Sequence, residues 1–432
     1  MICRLCSAVL ALAVAAAPLA GAAAGEHPAR TIVRSASSAR LSAVELWFRA
    51  PSAGFAEPLA GLAQLTAESV AASAGRREPL AVLVQDVGGR LQITTFPDAV
   101  QITAVVPAAA AAEIARAAFY DYVRPTLTPD GFKRARESVA VEAAAAGADP
   151  DAQLRARLFG ALFERGPDRY AALPAVQQLD AITYPEVVAF AKRAFRAENT
   201  IAVVTGAPAG DAVMRAFGGQ AAGVPAEAAL ISVPASAPPN SEGESAAGPA
   251  FGMAFAGPPI EDQRAATAMD FLADYLLGGR YGSISRALRA QVPDADAVGQ
   301  FITLHDPGIL LLEVTGDASP AVRDVVEHAL AAVQRPLETQ AFEAARREYI
   351  YHVLRDLQSV QAQADNLGWY AVEGSPEYAP LNGGEQGEYL TLARSLTPEY
   401  VAEIARKYLR AVPAVATLSA QTPAQASGAG AR

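Results

Sequence analysis

Arg124–Arg136 reads RPTLTPDGFKRAR, and Arg335–Arg347 reads RPLETQAFEAARR. A second pair follows the same interval: VVAFAKRAFR from Val187 resembles YVAEIARKYLR from Tyr400, so the offsets are roughly 210 to 214 residues. A repeat unit of about 200 residues is the size of a whole domain and too long for a solenoid module. The pair therefore predicts a duplicated domain.

Working outward, each half shows the same order of periodicities. ARLSAVELWFRAP, over Arg40–Pro51 and its flank, alternates apolar residues and ends at proline, as a strand does. Leu59, Leu62, Leu65, Ala67 and Val70 then fall at helical spacing before Gly75. Two strands, RLQITTF and AVQITAVV, meet at Pro97-Asp98, and helices run on to about Ala146. The second half gives a strand FGMAFAG, a helix from Glu261 to Leu277, a glycine turn, strands VGQFITL and GILLLEVTG, then helices. This predicts two homologous α+β domains, residues 25–218 and 251–421, each an antiparallel sheet with helices packed on one side. Between them, residues 219–250 carry Pro, Gly, Ser and Glu without apolar periodicity and read as an exposed linker; residues 422–432 read as a disordered tail.

Residues 1–24 hold Arg4, an apolar run from Leu5 to Leu19 and the small residues Ala22–Ala24, the pattern of a secretory signal peptide, the alternative being an uncleaved anchor. Both cysteines, Cys3 and Cys6, lie in that segment. The exported chain, periplasmic if the source is Gram-negative, is thus expected to have no disulfide, catalytic thiol or thiolate metal site, and no membrane span after cleavage.

The 432 residues carry a formal net charge of −10, with 52% hydrophobic residues, enough to bury full cores and without the cationic excess that nucleic-acid binding needs. Four histidines occur, His27, His305, His328 and His352, and no two have the spacing that sets paired imidazoles on one helix face. His328 and His352, in predicted helices of the second half, read as surface or satisfied core residues. No G-x-S-x-G, P-loop or G-x-G-x-x-G is present.

The stretch GLAQLTAES, Gly61–Ser69, resembles the zinc-site helix of the insulinase/pitrilysin (M16) metallopeptidases, which read G-L-A-H-x-x-E-H there. The resemblance runs through both halves. FKRARESVAVEAAAAGADPDAQLRARLFGALF is similar to the helix with the family's third ligand, ITYPEVVAFAKRAFRAENTIAVVTG to its closing helix and strand, and LLGGRYGSISRALRAQ to the glycine turn and arginine helix of its second domain. It implies a clamshell of two such domains.

Carried over residue by residue, the resemblance implies a degenerate site. Gln64 stands for the first ligand histidine, Ala67 for the catalytic glutamate and Glu68 for the second histidine, while the third ligand falls at Glu137 or Glu142. An amide is a poor zinc ligand and a methyl group accepts no proton, so neither zinc nor any other cofactor is expected, and catalysis by the chain alone is not implied. In the second half Arg289 matches a peptide-holding arginine, or is a surface helix residue; the tyrosine that accompanies it in the bacterial and mitochondrial branch would stand near Asp296. The reading that follows is a non-catalytic subunit that helps enclose peptide, with an active zinc-bearing paralogue or a second copy of itself as partner. The alternatives are an active metalloendopeptidase with unusual ligands and a scaffold subunit of an envelope complex.

Overall fold

The computed structural model describes residues 27–421 other than 37, 57, 74–77, 171–175, 208–209, 280–281 and 381–386. The segments read as signal peptide and disordered tail lie outside the described residues.

The first half runs β1 (Arg30–Ser35), β2 (Leu41–Arg49), α1 (Leu62–Ala72), α2 (Leu80–Asp86), β3 (Arg90–Thr95), β4 (Ala99–Pro107), α3 (Ala111–Val123), α4 (Pro129–Ala148), α5 (Pro150–Leu162), β5 (Phe163–Arg165), α6 (Tyr184–Ala194), β6 (Thr200–Ala207) and α7 (Gly210–Ala216). The second runs β7 (Val233–Pro234), β8 (Asn240–Ser245), β9 (Ala250–Ala256), α8 (Gln263–Leu277), α9 (Ser283–Gln291), β10 (Asp296–Ile302), β11 (Ile309–Thr315), α10 (Pro320–Ala332), α11 (Thr339–Asp356), α12 (Val360–Val372), α13 (Glu388–Ser395), α14 (Pro398–Tyr408) and β12 (Ala414–Ala420).

The strands form two five-stranded sheets of the same order, β1-β6-β2-β4-β3 and β8-β12-β9-β11-β10. The duplication read from the sequence is therefore a duplication of topology. The repeated helix starts are capped alike: Pro129 follows the N-cap Thr128, whose Oγ1 accepts from Gly131 N at 3.0 Å, and Glu338 caps α11 through Ala341 N at 3.0 Å. Thr183 and Glu186 make a capping box before α6, and Thr397 caps α14.

Both sheets are mixed. β2, β4 and β3 pair antiparallel, as do β9, β11 and β10, but β1 runs parallel to β6 and β8 parallel to β12. These parallel edge strands are where the sequence reading falls short. Asn240–Ser245 lies inside the segment read as linker, yet it is β8 of the second sheet, and Val233–Pro234 pairs with β5. Its Glu242 and Glu244 point to solvent, which is how an edge strand hides from a search for apolar alternation.

Helices cover both faces of each sheet, beyond the one face expected. On β2, Val44, Leu46 and Phe48 point into a core with α1, α3 and α6, while Ala43 and Trp47 point the other way, into a cluster that holds Ala364 and Leu367 of α12. On the second sheet, Ala254, Leu311, Ala416 and Leu418 pack on Leu154, Leu158 and Phe159 of α5. The halves thus exchange equivalent helices: α5 lies on the sheet of the second half and α12 on the sheet of the first. At ~1.5–3 kcal/mol for each large apolar side chain, the few that each exchanged helix buries hold the halves together firmly. The close approach of α12 requires Gly368, where a Cβ would collide with the indole nitrogen of Trp47.

Candidate functional site

Gly61, at φ 84°, turns the chain into α1 in a conformation that glycine adopts without strain. One turn in, Gln64 and Glu68 lie four residues apart on the helix face that meets α4. Gln64 is only 2% exposed. Its Nε2 donates to Oε2 of Glu142 at 3.4 Å and to Oε1 of Glu68 at 3.5 Å, so one amide spans two carboxyl groups. Of the two glutamates left open by the sequence, Glu142 is the one that meets Gln64. Both glutamates are exposed on α4, but Glu142 reaches Gln64 of α1 whereas Glu137 makes none of these contacts.

Burial, and next the charge of Glu142, push Glu68 up to about 7. Glu142 is itself raised by burial, against the stabilising hydrogen bond from Gln64. Ala67 is fully buried, and its carbonyl accepts from Tyr122 Oη at 2.9 Å. These residues do not fit a catalytic zinc ion. An N–H₂ group sits between the carboxylates and a methyl group stands where a proton acceptor is needed. Among the described residues, no three His, Cys, Asp or Glu side chains form a group that could hold a metal ion.

The other residues singled out from the sequence lie elsewhere. Arg289 is exposed in the last turn of α9, and Asp296 opens β10. His352 Nδ1 is 2.8 Å from Asp274 Oδ1, joining α11 to α8, and His305 Nδ1 is 2.8 Å from Glu261 Oε1. His27 Nδ1 approaches the Pro28 carbonyl at 3.0 Å, and His328 lines a groove on the second domain. No described helix is long and apolar enough to cross a membrane.

Beside the Gln64–Glu142 contact, the wall of α4 continues through Ala143 and Ala146 into a cavity of about 630 Å³. The end of β3, α5, β10 and α12 complete it, so both halves contribute. A second space of about 420 Å³, with Trp47 and Asp365 on its walls, shares Thr94, Phe96, Trp369 and Tyr370 with the first. The rings of Phe96 and Trp369 meet edge to face at 4.8 Å between centroids, and Trp369 Nε1 donates to the Thr303 carbonyl at 2.9 Å, which fixes the indole. Arg155, a cation on this wall, is held by Glu313 Oε2 at 2.9 Å. β3 and β10, both at the cavity, are the outer strands of their sheets. Sequence reasoning missed this chamber, because aromatic residues scattered over four elements carry no common spacing. The one available signal was that the chain's two tryptophans, Trp47 and Trp369, both fall on its walls.

Residues 181–349 match the family model described as the peptidase M16 inactive domain. No curated protein is significantly similar to the chain. Among solved structures, a protease from Helicobacter pylori is similar at a TM-score of 0.79 and 15% identity, over 90% of this chain and 96% of that one. An M16-like peptidase from Alicyclobacillus acidocaldarius gives 0.74 and 16%, over 90% and 96%, and a peptidase M16 inactive domain from Pseudomonas fluorescens gives 0.72 and 17%, over 91% and 96%. Residues 181–349 thus match the model of the peptidase M16 inactive domain, and the chain as a whole has the two-domain fold of the M16-like peptidases.

Proposed function

We propose that this chain is a non-catalytic M16 subunit that encloses an extended peptide between its two sheets and acts beside an active, zinc-bearing paralogue after export. The observation that carries the reading is the Gln64 amide spanning Glu68 and Glu142, with Ala67 in place of a base, next to a chamber that is still open and largely apolar. Loss of the hydrolytic groups with retention of the chamber is what a binding or guiding role requires. β3 and β10 offer unpaired strand edges to an extended chain. The duplicated architecture also favours association with a chain of the same shape. Export rests on the sequence of residues 1–24.

The test is purification from the native source with an affinity tag. An M16 chain with an intact H-x-x-E-H should co-purify, and its hydrolysis of denatured protein should rise at least several-fold when this chain is added. A monomer at micromolar concentration that leaves the hydrolysis rate unchanged would overturn the pairing.

A further inference from the structure

Asp270, on α8, lies deep between the helices of the second domain, yet it retains accessible surface, and it stands on the wall of the 630 Å³ cavity. Tyr389 Oη donates to its Oδ2 at 2.9 Å, and Tyr349 Oη is hydrogen-bonded to Tyr389 Oη behind it. Among the described residues, the groups around it come from several elements. Asp274, on its own helix, is engaged by His352 of α11; Tyr349 comes from α11, Tyr370 from α12, Tyr389 from α13, and Tyr378 from the turn at Pro376–Tyr378. β10 and the residue that follows it bring Gln300 and Thr303 to the cavity wall as polar side chains. No described cation forms an ion pair with Asp270, and Arg155 on the same wall is already committed to Glu313. A buried carboxylate without a counter-charge is costly, and burial pushes Asp270 up to about 7. The adjoining space adds a second acid, Asp365.

We propose that the chamber selects peptide segments carrying a lysine or arginine, whose side chain lies among the rings of Phe301, Trp369 and Tyr370 and ends at the Asp270 carboxylate. This inference rests on the reading that the cavity holds peptide and names the class of peptide held. Aromatic faces attract a cation, and the apolar stem of Lys or Arg suits the walls around them. The bound cation supplies the counter-charge that no described residue gives the Asp270 carboxylate. Because only the ionised carboxylate attracts the cation, selection strengthens as pH rises through about 7.

The test uses two pools of acetylated, amidated decapeptides randomised over Ala, Thr, Val and Leu. One pool has Lys or Arg at a central position and the other has norleucine; binding to the full chain is followed by tryptophan fluorescence. At pH 8 the basic pool should bind at least tenfold more tightly, and the ratio should shrink several-fold at pH 6. In Asp270→Asn, which keeps the acceptor for Tyr389, the ratio should fall to near one at both pH values while the melting temperature holds or rises. Equal binding of both pools by the wild-type chain at pH 8 overturns the selection and leaves the chamber reading intact. Persistence of the preference in folded Asp270→Asn assigns it to another group and also overturns the proposal. Failure of both pools to bind overturns the selection and the peptide-chamber reading together.

Discussion

Nε2 of Gln64 lies 3.4 Å from Oε2 of Glu142, so a neutral amide, supported by Glu68 on the same helix, joins α1 to α4. The contact leaves both carboxyl groups partly desolvated. Burial, and next the charge of Glu142, hold the Glu68 carboxyl protonated up to about pH 7.

The same contact gives a route back to metal binding. With Gln64→His, Ala67→Glu and Glu68→His introduced together, two imidazoles would stand at the i and i+4 positions facing Glu142. The triple variant should bind zinc with at least a hundredfold higher affinity than the wild type, measured by competition with a chelating dye. Adding Glu142→Ala should abolish most of the gain, whereas Glu137→Ala should leave it unchanged.

Stability should fall as pH rises from 5.5 to 8. A carboxyl group whose folded pKa lies above its unfolded value binds more protons in the folded chain, so its stabilising share is complete below the unfolded value and is lost through the folded one. Glu68 and Asp270 cross at about 7, and Asp98, Asp168 and Glu373 are also raised, chiefly by burial. Thermal unfolding should therefore show a melting temperature several degrees higher at pH 5.5 than at pH 8. Glu68→Gln removes one of these groups and should stabilise the chain at pH 8 by about 1 kcal/mol, with little effect at pH 5.5.

How much of this was legible in the sequence depends on where the side chains point. The duplicated order of strands and helices could be read, because Val44, Leu46 and Phe48 or Leu310, Leu312 and Val314 repeat at the period of a buried strand. β1 and β8 could not, since Arg30, Arg34, Glu242 and Glu244 give edge strands a polar pattern. Nor could the exchange of α5 and α12: Leu154 and Leu158 define an apolar face whichever sheet that face meets. Gln64, Ala67 and Glu68 were singled out through the shape of one motif, but the contact of Gln64 with Glu142, and not with Glu137, depends on the packing of α4 on α1. Asp270 gave no signal at all, because a lone carboxyl in an amphipathic helix looks like a solvated residue until the tyrosines close around it.

The exchanged helix makes its own prediction. A methyl group at position 368 would collide with the Trp47 indole, and the contact is with a ring already packed on Phe96 and Trp369. Gly368→Ala should cost about 1–3 kcal/mol by overpacking, seen as a lower denaturant midpoint, and should change tryptophan emission because both indoles line the chamber. An equivalent substitution at exposed Gly147 should do neither.

The central claim is that Gln64 joins Glu68 and Glu142 by hydrogen bonds where the M16 resemblance implies a zinc site. It is tested most directly by elemental analysis of the full chain after growth with added zinc and dialysis against a weak chelator. The account predicts far less than one zinc per chain; one tightly held zinc per chain, lost on Glu142→Ala, would contradict it.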